Sequence, residues 1–149
     1  MRARELAWPS TAVHPHVTLR EAAALLVRER SPALVVVSED GHPLTVVPAA
    51  DVLAAALPDP VREDPLLAAV AEASLDDAVR ARAASLRLAD VLPKRPPAPA
   101  VVSPDASPLH MASLMERTGG HLVVVVDYHD DRPQLIGTVD AATLLQYYL

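Results

Sequence analysis

The chain has no cysteine, which excludes disulfide frameworks, thiolate metal sites and cysteine nucleophiles and leaves the redox compartment open. Phenylalanine is absent too, and the only aromatics are Trp8, Tyr128, Tyr147 and Tyr148. Any core must therefore be built from small aliphatic side chains, chiefly the 27 Ala, 20 Val and 21 Leu. With only four glycines there is little backbone for a glycine-rich phosphate loop. Lys94 is the single lysine and asparagine is missing, while Ala, Arg and Pro abound, a bias that reflects GC-rich coding more than function. Positive charge is in deficit: the formal net charge of −6 and pI near 5.4 argue against a broad phosphate-neutralising surface for nucleic acid. Long apolar runs are lacking as well. The longest strongly apolar strand candidate, Leu122 to Val126, is far short of a membrane span. Residues 1–20 are broken by Glu5, Pro9 and Pro15 and lack the apolar stretch of a signal peptide. The expectation is a soluble, cytoplasmic protein with no membrane insertion and no nucleic-acid partner.

What is present is enough for one compact domain or two small half-domains sharing a core: 149 residues, 51% of them hydrophobic. The strongest feature is an internal repeat. An offset of 89 residues sets Pro15 on Pro104, Thr18 on Ser107, Leu25 on Leu114 and Val35–Val37 on Val124–Val126. A three-residue insertion in the next turn raises the offset to 92, so that Leu44–Val47 meets Ile136–Val139 and Asp51 meets Thr143.

Each copy reads strand, helix, strand, strand, helix. Thr18 and Glu21 have the spacing of a capping box, and behind it Leu19, Ala22, Ala23, Leu26 and Val27 recur at helical spacing. In the second copy Ser107 is the cap and Pro108 stands at the first helical position, where a missing N–H costs nothing. Leu34–Val37 and Leu122–Val126 lack polar alternation, which predicts strands buried on both faces. Glu39–Gly41 predicts a tight turn, Tyr128–Pro133 a longer charged one, and Ala49–Leu57 and Ala141–Tyr148 predict closing helices. Between the copies, Asp64–Ala73 and Leu75–Ala84 read as helices, with Ser74 and Asp77 at capping-box spacing, and Pro93–Pro99 as a semi-rigid linker. The division expected is a first repeat with its leading segment over 1–57, a connector over 58–98 and a second repeat over 99–149. Neither copy buries enough surface to stand alone, so the two sheets are expected to pack face to face about a pseudo-twofold axis. That arrangement puts the two strand-to-helix junctions on either side of one cleft.

With the repeat laid out, Val13–Leu57 and Val101–Leu149 resemble a cystathionine β-synthase (CBS) domain pair, and Leu88–Leu92 matches the short turn that precedes the second copy in such pairs. The resemblance implies an α+β fold of two tandem β-α-β-β-α repeats, a homodimer, and regulatory binding of an adenosine-containing ligand such as AMP, ADP, ATP or S-adenosylmethionine. It implies no required cofactor and no catalysis, with occupancy signalled to a regulated enzyme or transporter.

The family's ligand motif, Gly-x-x-Thr/Ser-x-x-Asp, lies where the third strand meets the closing helix. Its hydroxyl and helix N-terminus face phosphate, and its Asp accepts from the ribose hydroxyls. Both copies depart from it. The first reads Thr45, Pro48, Asp51, which retains the ribose-type Asp without the Gly or the hydroxyl. The second reads Gly137, Asp140, Thr143, with an acid in place of the hydroxyl and Thr138 beside the Gly. A carboxylate at Asp140 occupies the anion position and repels phosphate, so this half favours an uncharged or cationic adenosyl group, or nothing. The resemblance also puts Val13 and Val102 on the opening strands, and Pro32 and His121 ahead of the buried strands, along the cleft. With so few aromatics, an adenine ring there is expected to rest on Val, Leu and Pro.

Each of these residues also has a purely structural reading. Asp51 complements a helix dipole with or without ligand, Asp140 is an N-cap, Thr143 is structural and Pro48 starts a helix. The histidines, including His14 and His16 around Pro15 and the cluster of Asp127, His129, Asp130 and Asp131, lack helical ligand pairing, so no metal site is expected. No serine has a His and acid partner by motif. Leu66, Leu67, Val70 and Ala71 share a helical face that serves either packing within the chain or a dimer seam or partner-docking surface. Two functions remain: an adenosyl-binding regulatory module, or a ligand-free structural or dimerisation module whose motifs have decayed.

Overall fold

The structure is a computed structural model and describes residues 1–70 and 73–149. A short helix α1 (Ala3–Leu6) precedes the first repeat, which comprises β1 (Ala12–Val13), α2 (Leu19–Glu29), β2 (Ala33–Val37), β3 (Pro43–Pro48) and α3 (Ala49–Ala56). The connector carries α4 (Asp59–Glu63), α5 (Pro65–Ala69), α6 (Ala73–Ser85) and α7 (Leu88–Val91). The second repeat comprises β4 (Val101–Val102), α8 (Pro108–Thr118), β5 (Leu122–His129), β6 (Arg132–Asp140) and α9 (Ala141–Tyr148). The strands form two three-stranded sheets, ordered β1-β2-β3 and β4-β5-β6. The fold is thus the mixed α and β arrangement of two β-α-β-β-α repeats that the sequence pattern implies.

The chain forms two compact units. The first contains Met1–Ala12, Val35–Val46 and Pro97–Leu149. Within it β5 pairs parallel with β4 and antiparallel with β6. Side chains alternate along a strand, so β5 serves two cores at once. Val123 and Val125 join Val102, Met111, Met115, Val139, Leu144 and Ala3 under α8 and α9. Val124 and Val126 face the other way and pack with Val35 and Val37 of β2. All four β5 valines are essentially without solvent contact, which is why this run shows no polar alternation.

The second unit contains Val13–Leu34 and Val47–Pro96, in which α2, α3 and α6 pack on one another. Leu19, Ala22, Leu25 and Leu26 bury the apolar stripe of α2. Arg82 donates from Nη2 to the carbonyl of Ala55 at 3.2 Å and so satisfies one of the orphan acceptors at the end of α3.

The caps agree with the sequence pattern. Thr18 Oγ1 accepts from the Glu21 amide at 3.1 Å and Ser107 Oγ from the His110 amide at 3.2 Å. Three readings need correction. The turn expected over Tyr128–Pro133 is only Asp130 and Asp131, both at positive φ, because β5 and β6 pair as far as His129 and Arg132. A two-residue turn with both φ positive matches the twist of its strands, and aspartate tolerates that conformation. The helix expected over Asp64–Ala73 is shorter: Asp64 caps it by accepting from the Leu66 amide at 3.0 Å, and it ends at Ala69. The rest of that reading touches residues 71 and 72, which lie outside the described residues. Ser74 lies inside α6 rather than at a cap, since the helix already begins at Ala73. Of the apolar face read over Leu66–Ala71, Leu66 and Val70 are exposed and Leu67 is half-buried, while Ala71 lies outside the described residues.

Candidate functional site

Both strand-to-helix junctions are closed by the same backbone clasp. The first amide of α3, at Ala49, donates to the Pro32 carbonyl at 2.9 Å, and the first amide of α9, at Ala141, donates to the His121 carbonyl at 3.1 Å. Pro32 and His121 are thus equivalent, and both are exposed. Beyond the clasp the two junctions differ.

In the first repeat Pro48 is the N-cap of α3 and has no side chain to cap with. The amides of Ala50 and Asp51 keep the positive end of the helix open. Asp51 sits in the first turn of α3, exposed, and among the described residues its carboxylate has no partner. Val13 is buried on β1, and Thr45 is the one buried polar side chain among the described residues. This junction therefore presents a free carboxylate one turn into an uncapped helix. That pairing accepts hydroxyl donors and leaves N–H groups available to an oxyanion.

The second junction is filled by the chain itself. Asp140 is the N-cap of α9: its Oδ1 accepts from the Thr143 amide at 2.8 Å and from the Thr143 hydroxyl at 2.7 Å. The Thr143 hydroxyl in turn accepts the Trp8 indole N–H at 3.1 Å. Thr138 exchanges both backbone hydrogen bonds with Trp8, at 2.9 and 3.0 Å. Gly137 is buried, and a Cβ built on it would lie 2.2 Å from the Trp8 carbonyl oxygen. Val102 is buried in the core beneath α8 and α9. The sequence reading placed no role on Trp8. In the sequence it stands out only as the sole tryptophan; the structure adds that α1 has the same length and internal N-terminal contact as α7. In both, the residue before the helix donates its amide to an acid three residues on, Arg2 to Glu5 at 3.3 Å and Arg87 to Asp90 at 2.9 Å.

The remaining histidine candidates make none of the hydrogen bonds described at these junctions. His14 and His16 stack with ring centroids 5.5 Å apart, and His14 Nδ1 is buried without a hydrogen bond. His129 Nε2 lies 3.1 Å from Asp127 Oδ2 at the turn end of the β5–β6 hairpin, whereas Asp140 pairs with Leu122 at the other end. Among the described residues no three His, Asp or Glu converge as a metal-binding group, and no helix is long and apolar enough to cross a membrane.

The family model described as CBS domain matches residues 3–58 and 88–149. The chain belongs to the CBS domain family, as a pair of repeats. Among solved structures it is similar to a CBS domain-containing protein of unknown function from Kribbella flavida, at 33% identity over 100% of both chains and a TM-score of 0.83. It shares its fold with CBSX2 of Arabidopsis thaliana, solved in complex with AMP, at 21% identity over 99% of this chain and 95% of that one, with a TM-score of 0.63. It shares it also with the CBS domain of a bacterial CNNM/CorC family Mg2+ transporter in complex with ATP, at 17% identity over 98% and 85%, with a TM-score of 0.63. No curated protein matches.

Proposed function

We propose that this protein is a regulatory CBS pair that binds an adenosine-containing ligand at its first strand-to-helix junction, with Asp51 accepting from the ribose hydroxyls. The observation that carries this reading is the exposed, unpartnered Asp51 carboxylate at the uncapped start of α3. The open N–H groups there suit a phosphate, so AMP, ADP and ATP fit alongside S-adenosylmethionine. The AMP and ATP complexes of the structural relatives support the ligand class. We assign Pro32, Pro48 and Val13 to this half-site alongside Asp51, and Val102, His121, Gly137, Thr138, Asp140 and Thr143 to its counterpart. The module works without chemistry of its own, as a cytoplasmic homodimer that passes ligand occupancy to an enzyme or transporter. Binding shifts a conformational equilibrium only by its differential affinity for the two states, so that partner must discriminate occupied from empty.

Thermal shift against AMP, ADP, ATP, S-adenosylmethionine and NADH tests the proposal. A ligand at about 100 times its Kd adds about 2.7 kcal/mol, which for a chain of this size raises Tm by roughly 5–10 °C. Asp51→Ala should remove most of that shift. If no adenosyl compound at millimolar concentration moves Tm, the regulatory reading fails. The ligand-free structural module then stands, a reading favoured by the self-satisfied second junction and by the missing hydroxyl at Pro48.

A further inference from the structure

We propose that residues 2–8 are a strap that occupies the second half-site, and that Trp8 locks it there. The module then takes one adenosyl ligand per chain instead of two. This rests on the adenosyl reading above for the ligand, though the strap itself is a matter of geometry alone.

Three sets of contacts hold the strap. At its leading end the amides of Ala3 and Arg4 donate to the carbonyls of Ala106 and Pro104, each at 2.9 Å, and Arg4 Nη2 pairs with Asp105 Oδ1 at 2.6 Å. Ala3 is wholly buried in the core under α8 and α9. At its trailing end Trp8 adds to the sheet. β6 is an edge strand whose Thr138 N–H and C=O point outward, and Trp8 takes both. Beyond the backbone, the indole N–H closes on Thr143, whose hydroxyl is already committed to Asp140.

Two of the three motif positions, Gly137 and Thr143, are thereby taken, and the third, Asp140, is committed to Thr143. The open face of Gly137 receives the Trp8 carbonyl, the Thr138 backbone receives the Trp8 backbone, and the Thr143 hydroxyl receives the indole. The indole itself remains 65% exposed, so burial of its own surface does not account for its placement. Its fixed N–H does.

The turn before the second repeat shows why one half is strapped and the other is not. α7 docks as α1 does, with the amides of Leu88 and Ala89 donating to the carbonyls of Val17 and Pro15 at 2.9 and 2.8 Å. At the position equivalent to Trp8, however, stands Pro93. Proline has no N–H to give an edge strand and no indole to reach a helix start. One substitution between repeats thus separates the strapped half from the open one.

The decisive comparison is AMP stoichiometry by calorimetry, together with amide exchange at Thr138, in the native chain, Trp8→Pro and Gly137→Ala. Trp8→Pro copies Pro93, and Gly137→Ala expels the strap from the opposite side. Retained binding at the Asp51 site shows that either variant is folded. The native chain should bind one equivalent, and Trp8→Pro should gain a second, weaker one that prefers adenosine to AMP because Asp140 faces the phosphate. Gly137→Ala, whose added methyl fills the face a ligand would use, reports on the strap through exchange alone. The Thr138 amide should exchange at least roughly tenfold faster in both. Two equivalents in the native chain, or unchanged Thr138 protection in the variants, would overturn the strap. If no adenosyl compound binds any of the three chains, the ligand reading falls. Thr138 exchange then decides alone whether the strap is docked by Trp8.

Discussion

Arg30 ends α2 in the left-handed conformation at φ 50°, where the second repeat has Gly119 at φ 68°. A side chain in that region costs roughly 1–2 kcal/mol, and glycine avoids the cost. Arg30→Gly should therefore stabilise the chain by about 1 kcal/mol and raise Tm by roughly 2–4 °C, measured by calorimetry. The offset of 89 residues sets these two in one column, but the left-handed conformation they share is seen only in the backbone. Asp140 was legible as an N-cap, and it caps α9 through the Thr143 amide. Asp51 was legible in kind but not in state, because only the structure shows that its carboxylate has no partner among the described residues. Trp8 was not legible, because its partners Thr138 and Thr143 lie about 130 residues away along the chain. Nothing local to Trp8 distinguishes a strap from an exposed side chain.

At the scale of elements, hydrophobic pattern and caps carried most of the reading. The four β5 valines, the Thr18 and Ser107 caps and the start of α9 all stand where periodicity put them. Turn and connector lengths were harder, because Asp130 and Asp131 read equally well as a charged loop or as a tight turn. Their positive φ values make a further test: Asp131→Gly should relieve strain at the hairpin and stabilise by about 0.5–1 kcal/mol, read as a higher midpoint in urea. A longer, relaxed turn would show no gain. The core of β5 gives the opposite sign. Val124→Ala removes two buried methyl groups that meet β2, and should cost about 2–3 kcal/mol with the denaturant slope unchanged.

For the whole molecule, the proposed homodimer predicts a solution mass twice that of the 15.8 kDa chain, measured by sedimentation equilibrium. A mass of one chain at micromolar concentration would remove the dimer from the functional reading. The sequence by itself determined the two repeats, their order of elements and the family, because these depend on local periodicity, breakers and caps that repeat along the chain. It also determined most of the core's composition, which without phenylalanine had to be made of Val, Leu and Ala, to which the structure adds Met111 and Met115. Only the tertiary structure decided how the two junctions differ. The cap of α9 by Asp140 is local, but its closure by the Trp8 indole depends on residues brought together from opposite ends of the chain. The near absence of aromatics looks different for the same reason. The one tryptophan holds the trailing end of residues 2–8 on the second repeat, because an edge strand with outward N–H and C=O groups and a helix-start hydroxyl lie within its reach.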